Sequence, residues 1–278
     1  MNLELILEPF QYAFMVRAFV GVGLIAVVAA VIGTFVVLKG LAFMGDAIAH
    51  TAFTGIALGL LLGIGIHLSA LFFALLTALG VVLLTRVSNV RNDTALAILF
   101  TGVFALGIVL LSTNPGFVGD LNSLLLGSVL AMQSREIALI GGFALLLLAV
   151  LVLFFSRFVL VSFDPIGAEA AGFPVVAFQS LLLALIAVAI VISIQAVGVV
   201  LVVALLITPP ATAGLLTKGL KLQMVLAAAF GLASSVLGLY ISYFWGAPPG
   251  ATVVLVATLF FAVVLVVQRL RRGSRLAC

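Results

Sequence analysis

Apolar runs of about twenty residues follow one another along almost the whole chain, at 16–38, 41–64, 68–86, 94–112, 136–156, 175–194, 197–216, 222–244 and 250–268. A helix that crosses a hydrocarbon core roughly 30 Å thick needs about 20 such residues. A soluble core has no room for so many. Composition agrees, with 66% of the 278 residues hydrophobic and 7% charged, against roughly half and a quarter in soluble domains. Mean hydropathy is +1.52. The predicted fold is all-α, a polytopic transmembrane helical bundle forming a single domain over 1–278. Nine spanning helices are expected, or eight if the first run or the 175–216 pair is read differently. The start, MNLELILEPFQYAFMVR, carries Glu4 and Glu8 instead of a basic segment before a short apolar one. No cleavable signal peptide is expected. Cys278 is the only cysteine, so no intrachain disulfide forms.

The net charge of +4 carries no nucleic-acid signal here. In a membrane protein the informative quantity is where the basic residues sit. The tail at 269–278 holds Arg269, Arg271, Arg272 and Arg275, and is expected in the cytoplasm. Counting back through alternating crossings puts Lys218, Lys221, Arg157, Arg91, Arg86 and Lys39 on the same side. Of the twelve Lys and Arg residues, only Arg17 and Arg135 fall outside, together with the N-terminus. Two segments are not plain spans. Residues 117–133 contain an apolar piece too short to cross, expected as an outer re-entrant or interfacial helix. Residues 157–174 form the longest inner loop. In it Asp164 reads as an N-cap and Pro165 as a first helical residue, with Gly172 and Pro174 as stops. A cytoplasmic helix of about two turns is expected, as a docking element or a well-capped connector.

Within the second run, GLAFMGDAIAHTAFTGIALG, stand Asp46 and His50. Residues four apart share a helical face, so a carboxylate oxygen and an imidazole nitrogen can meet at one point. Both ligate divalent transition metals. If the helix starts near Leu41, His50 lies about 14 Å in. Ionisable groups at such depth are costly and face protein interior or an aqueous path. The plain alternatives are an N-cap role for Asp46 and a core histidine bonded to a carbonyl for His50. Two ligands do not complete a metal site; others must come from other segments, a second copy or water. His67, in the outer turn before the third run, reads as an interfacial histidine or a contact for incoming metal. The small residues Gly45, Ala47, Ala49, Thr51, Ala52, Thr54 and Gly55 let helices approach closely. In the seventh run, Gln195 and Gly198 lie near the outer end. Thr208, Pro209 and Pro210 lie near the inner end, as a hinge candidate or a plain terminus.

These residues resemble a known family. GDAIAHTAFTGIALG is similar to the Gly-Asp-Ala-Leu-Ser-His-Ala motif in permeases of bacterial zinc, manganese and iron importers of the ATP-binding-cassette class. FTGVFALGIVLLS, DLNSLLLGSVL, FDPIGAEAAGFP and QAVGVVLVVALLITPPATAG look like further landmarks in the family's order. The family often has proline where Thr54 stands, serine where Ala49 stands, and a longer residue after Asp-Pro where Ile166 and Gly167 stand. The resemblance implies a multi-pass protein of the bacterial plasma membrane. Its partners would be a second copy or a paralogous permease, a cytoplasmic ATPase dimer and an extracytoplasmic metal-binding protein. Asp46 and His50 would line the path for zinc, manganese or ferrous iron. Phe163, Asp164, Pro165, Glu169 and Gly172 would belong to the helix that couples to the ATPase. No cofactor is expected on this chain. It contains no Gly-x4-Gly-Lys-Ser/Thr, so ATP belongs to the partner. A proton-coupled secondary carrier using Asp46 and His50 as a relay is the rival, weakened by the shortage of other intramembrane carboxylates and by the lack of inverted repeats. An intramembrane enzyme is disfavoured by the absence of Gly-x-Ser-x-Gly and His-Glu-x-x-His.

Overall fold

The computed structural model of the chain describes residues 8–87, 92–112 and 127–276. Among them all regular structure is helical. The α-helices are α1 (Ala13–Leu38), α2 (Ala42–Leu62), α3 (Ile66–Val87), α4 (Asn92–Ser112), α5 (Ser134–Leu153), α6 (Phe155–Phe163), α7 (Pro165–Ala170), α8 (Val175–Leu216), α9 (Leu220–Trp245) and α10 (Pro249–Leu276). Seven are long and apolar enough to cross a membrane: α1, α2, α3, α5, α8, α9 and α10. The apolar part of α4, Thr94–Leu110, is shorter. Helix length alone therefore gives seven candidates where nine crossings are expected.

The difference centres on α4 and α8. Helix α8 has 42 residues, roughly 63 Å at 1.5 Å per residue, twice a hydrocarbon core. It is broken at Gly198, whose φ of 82° and ψ of 163° are non-helical and open essentially only to glycine. Before the break, Leu182 and Leu183 share a cavity with Lys39 and Met44, at the α1–α2 junction. Val191 and Gln195 share another with His67, at the start of α3. After the break, Leu206 lies against Gly33 and Gly45, back toward the α1–α2 junction. The two arms of α8 thus run in opposite directions along α1.

Of the expected outer helix at 117–133, residues 117–126 lie outside the described residues. The rest forms a 3-10 turn, Val129–Ala131, and packs inward. Val129 and Met132 are buried, the Met132 sulfur sits over Gly21, and a Cβ on Gly127 would collide with the backbone at Val197 and Gly198. The break in α8 is therefore covered by chain.

The span expected at 136–156 ends sooner, because Phe154 leaves helical geometry (φ −102°, ψ 12°). Helix α6 then turns off on a cluster of rings. Phe158 meets Phe35, Phe154 and Phe178, and the Arg157 guanidinium lies 5.4 Å from the Phe154 centroid and 5.6 Å from Phe178. At the other end of the bundle, Phe10, Phe19 and Tyr240 pack together, as do Tyr12 and Tyr243. Aromatic belts of this kind sit at membrane–water interfaces.

Changing Gly198 to alanine should cost about 1–3 kcal/mol of backbone strain and lower the thermal unfolding midpoint of the purified protein. Gly142→Ala should not, since nothing lies within 4 Å of a Cβ there.

Candidate functional site

Helix α2 begins at Ala42, with Leu41 as its N-cap residue. Asp46 is therefore inside the helix, a full turn past its start, and the N-cap reading of Asp46 does not hold. His50 lies roughly 12 Å along the axis from Ala42. Its ring Nδ1 is 2.9 Å from the Asp46 carbonyl oxygen and 3.4 Å from the Asp46 Oδ1. The histidine thus does bond a carbonyl, and that carbonyl belongs to Asp46 itself. An Nδ1–H donated to it leaves Nε2 with the lone pair that a metal needs.

Helix α4 supplies what surrounds the ring. Phe100 and Phe104 meet His50 edge-on, with centroids at 5.3 and 5.4 Å and interplanar angles of 76° and 85°. The two phenyl rings stack on each other at 5.8 Å. Aromatic pairs prefer such geometries, and here they fix the orientation of the imidazole. Glycines let the helices close up around this face. A Cβ on Gly55 would collide with the Ser69 carbonyl and one on Gly107 with Thr54. Thr54 Oγ1 donates to the Val103 carbonyl at 2.8 Å, tying α2 to α4.

The Asp46 side chain is 45% exposed and that of His50 23%, while most of α2 around them is buried. The pair opens on an uncovered face. Among the described residues no group of three or more His, Cys, Asp or Glu comes together. The described residues thus offer here one carboxylate and one imidazole, a donor set suited to manganese, iron or zinc and short of a full shell.

His67 is not brought to this pair. It is exposed in the first turn of α3 and lines a cavity of about 380 Å³ with Glu136, Gln195 and mainly apolar neighbours. One Glu136 oxygen accepts from the Gln133 backbone N–H at 2.9 Å, completing a capping box at the start of α5.

The loop at 157–174 holds α7, with Asp164 as N-cap and Pro165 in its first turn. Gly167 N–H donates to Asp164 Oδ1 at 2.9 Å. Gly172, at φ 77°, turns the chain away, and Glu169 is exposed. Phe163 and Ile166 are 61% and 82% exposed. On the other side, Ala168 packs with Val161 and Val175. Helix α7 is thus anchored to the root of α8 and presents apolar and acidic groups outward.

Thr208, Pro209 and Pro210 lie inside α8, with both prolines buried. Thr212 Oγ1 donates to the Thr208 carbonyl at 2.8 Å and Gln223 Nε2 to the Pro210 carbonyl at 3.2 Å. Proline lacks the N–H that would bond the carbonyl four residues back. The carbonyl left by Pro210 is that of Leu206, which sits against Gly33.

A bundle of apolar helices with a carboxylate–imidazole pair on one of them defines a multi-pass membrane protein with a polar point on an otherwise apolar helix. The chain belongs to the ABC 3 transport family, which it matches over residues 11–268. It is 40% identical over 251 residues to a manganese transport system membrane protein of Listeria monocytogenes, covering 90% of this chain and 89% of that one. It is 36% identical over 266 residues to a probable iron transport system membrane protein of Haemophilus influenzae, covering 96% and 98%. The structure is similar to that of PsaBC from Streptococcus pneumoniae in complex with Fab, with a TM-score of 0.84, 35% identity and 95% of each chain covered.

The sequence reading missed Phe100 and Phe104. Their four-residue spacing in FTGVF, with Gly107 three residues further on at the contact with Thr54, was the available signal. Replacing Thr54 with valine should destabilise the protein by about 1 kcal/mol through loss of the α2–α4 hydrogen bond. Thr101→Val, which loses only bonds to the Ala97 and Ile98 carbonyls of its own helix, should leave the unfolding midpoint nearly unchanged.

Proposed function

We propose that the chain is the membrane-spanning permease subunit of an ATP-driven importer for a divalent transition-metal ion, and that Asp46 and His50 line its path. Manganese and ferrous iron stand ahead of zinc, because the relatives are named for manganese and iron transport. The observation that carries the path assignment is the exposed Asp46 carboxylate within α2. A carboxylate turned to lipid costs at least about 2.5 kcal/mol near mid-membrane, so this face belongs to water, a metal ion or a second subunit. A second permease, identical or paralogous, would bring its own carboxylate and imidazole to the same axis and fill the shell. The proton-coupled carrier is not favoured by these relatives.

In this reading the chain makes nine crossings: α1 to α5, the two arms of α8, α9 and α10. The C-terminus is cytoplasmic in the bacterial plasma membrane. The gathering of Arg157 and Lys221 at one ring cluster supports this orientation, with Lys221 Nζ lying 5.9 Å from the Phe155 centroid. Helix α7, with Phe163, Asp164, Pro165, Glu169 and Gly172, docks on a cytoplasmic ATPase dimer that binds the ATP. An extracytoplasmic metal-binding protein delivers the ion at the opposite face, where His67 is a first contact. Movement in α8 centres on Gly198 and on Thr208, Pro209 and Pro210, where helical hydrogen bonds are missing.

Asp46→Ala/His50→Ala, assembled with the ATPase and the binding protein, should take up manganese no faster than cells lacking the permease. Wild-type uptake would end the path assignment. For docking, Asp164→Lys should leave ATP hydrolysis running without transport, whereas Asp164→Asn, which keeps the cap, should retain coupling. If the lysine variant also stays coupled, α7 is not the docking helix. Labelling of Cys278 by a membrane-impermeant maleimide should require permeabilised cells; labelling of intact cells would reverse the orientation.

A further inference from the structure

A second polar site lies where α1 ends and α2 begins. A cavity of about 410 Å³ opens there between the α1–α2 junction, the end of α3, α6 and the first turns of α8. Neither Asp46 nor His50 lines it. Part of its wall is aliphatic, with Leu38, Leu182 and Leu183, and part is polar, with Lys39, Ser162 and Gln179. The three polar side chains have no partner among the described residues. The Ser162 hydroxyl is fully buried and makes no hydrogen bond. The Lys39 ammonium and the Gln179 amide bond no described group. Lys39 is partly buried, and burial pushes its pKa below the usual lysine value.

Each of these vacant groups has a proton to donate: an ammonium, a hydroxyl and an amide NH₂. No carboxylate among the described residues lines the cavity with them. Buried polar groups find partners as a rule, and a partly buried charge without one is costly. What satisfies three donors at once is an acceptor-rich anion. The aliphatic part of the wall adds a second requirement, which a small hydrated ion does not meet. An amphiphile with an anionic head meets both, and basic pockets between transmembrane helices hold such headgroups.

We infer that this cavity binds an anionic phospholipid, its phosphate held by Lys39, Ser162 and Gln179 and the root of its acyl chains laid along Leu38, Leu182 and Leu183. The site sits against α6 and the root of α8, beside the ring cluster that carries α7. It requires no metal, ATP or partner subunit for occupancy.

The test is native mass spectrometry of the full-length permease titrated with phosphatidylglycerol or phosphatidylcholine. Phosphatidylglycerol adducts should form preferentially and weaken about five-fold in Lys39→Gln, the effect of one basic residue. Lys39→Arg should restore them, and phosphatidylcholine adducts should not change. Thermal unfolding gives a second readout: phosphatidylglycerol should raise the midpoint of wild type and of Lys39→Arg, but not of Lys39→Gln. Equal adducts with both lipids, or adducts indifferent to Lys39→Gln, would overturn the site. Tighter Lys39-dependent binding of inorganic phosphate than of phosphatidylglycerol would overturn the lipid in favour of a free anion. Loss of ATPase binding in Lys39→Gln with lipid adducts intact would overturn it in favour of a partner's acidic side chain.

Discussion

In hydrocarbon every backbone N–H and C=O must find its partner within the protein, and α8 is where this chain meets that demand with most difficulty. Its helix is interrupted at Gly198 and carries two consecutive prolines. Each interruption has another segment packed against it. The chain at Gly127 covers the break, and the Leu206 carbonyl that Pro210 cannot serve lies against Gly33 of α1, where there is no Cβ. These contacts set how closely α1 and α8 pack, and the core is built around that pair. Of its largest fully buried side chains, Ile25, Ile32 and Phe35 come from α1 and Ile186, Ile190 and Leu201 from α8. The remaining helices are arranged around this axis.

The polar pair on α2 follows from the same packing. Small residues at Gly45, Gly55 and Gly59 draw α2 against α8 and α3, so most of its surface disappears into the bundle. What remains uncovered is the side bearing Asp46 and His50, bordered by Phe100 and Phe104 of α4. The rings have two effects. They hold the imidazole against rotation, and they place apolar edges beside the carboxylate–imidazole pair. The carbonyl contact at Nδ1 completes the arrangement by directing Nε2 outward.

Much of this was readable in the chain itself. Hydrocarbon length and the apolar runs locate seven helices long enough to span. A carboxylate and an imidazole four apart announce one shared face. Asp164-Pro165 followed by Gly172 predicts α7 from local capping chemistry alone. What was not legible depends on contacts between distant segments. The sequence does not say that Gly198, and not Pro209–Pro210, is where the backbone leaves the helix. Two prolines can be absorbed if another helix leaves room for the displaced carbonyl, and the residue that leaves it, Gly33, is far away in sequence. The premature end of α5 at Phe154 is invisible for the same reason: the ring cluster that turns α6 aside draws on Phe35 and Phe178. His50's aromatic neighbours belong to a landmark read only as a family resemblance.

The contacts of Leu206 with two glycines differ in kind. At Gly45 an added Cβ would meet the Leu206 Cδ2, 2.7 Å away, the far end of a flexible side chain. A smaller residue at 206 would make room for it. At Gly33 the added Cβ would meet the carbonyl oxygen, carbonyl carbon and Cα of Leu206, which every amino acid carries. No exchange of side chain at 206 can then compensate for one at 33. The two glycines look alike in the sequence, yet one is open to second-site rescue and the other is closed to it.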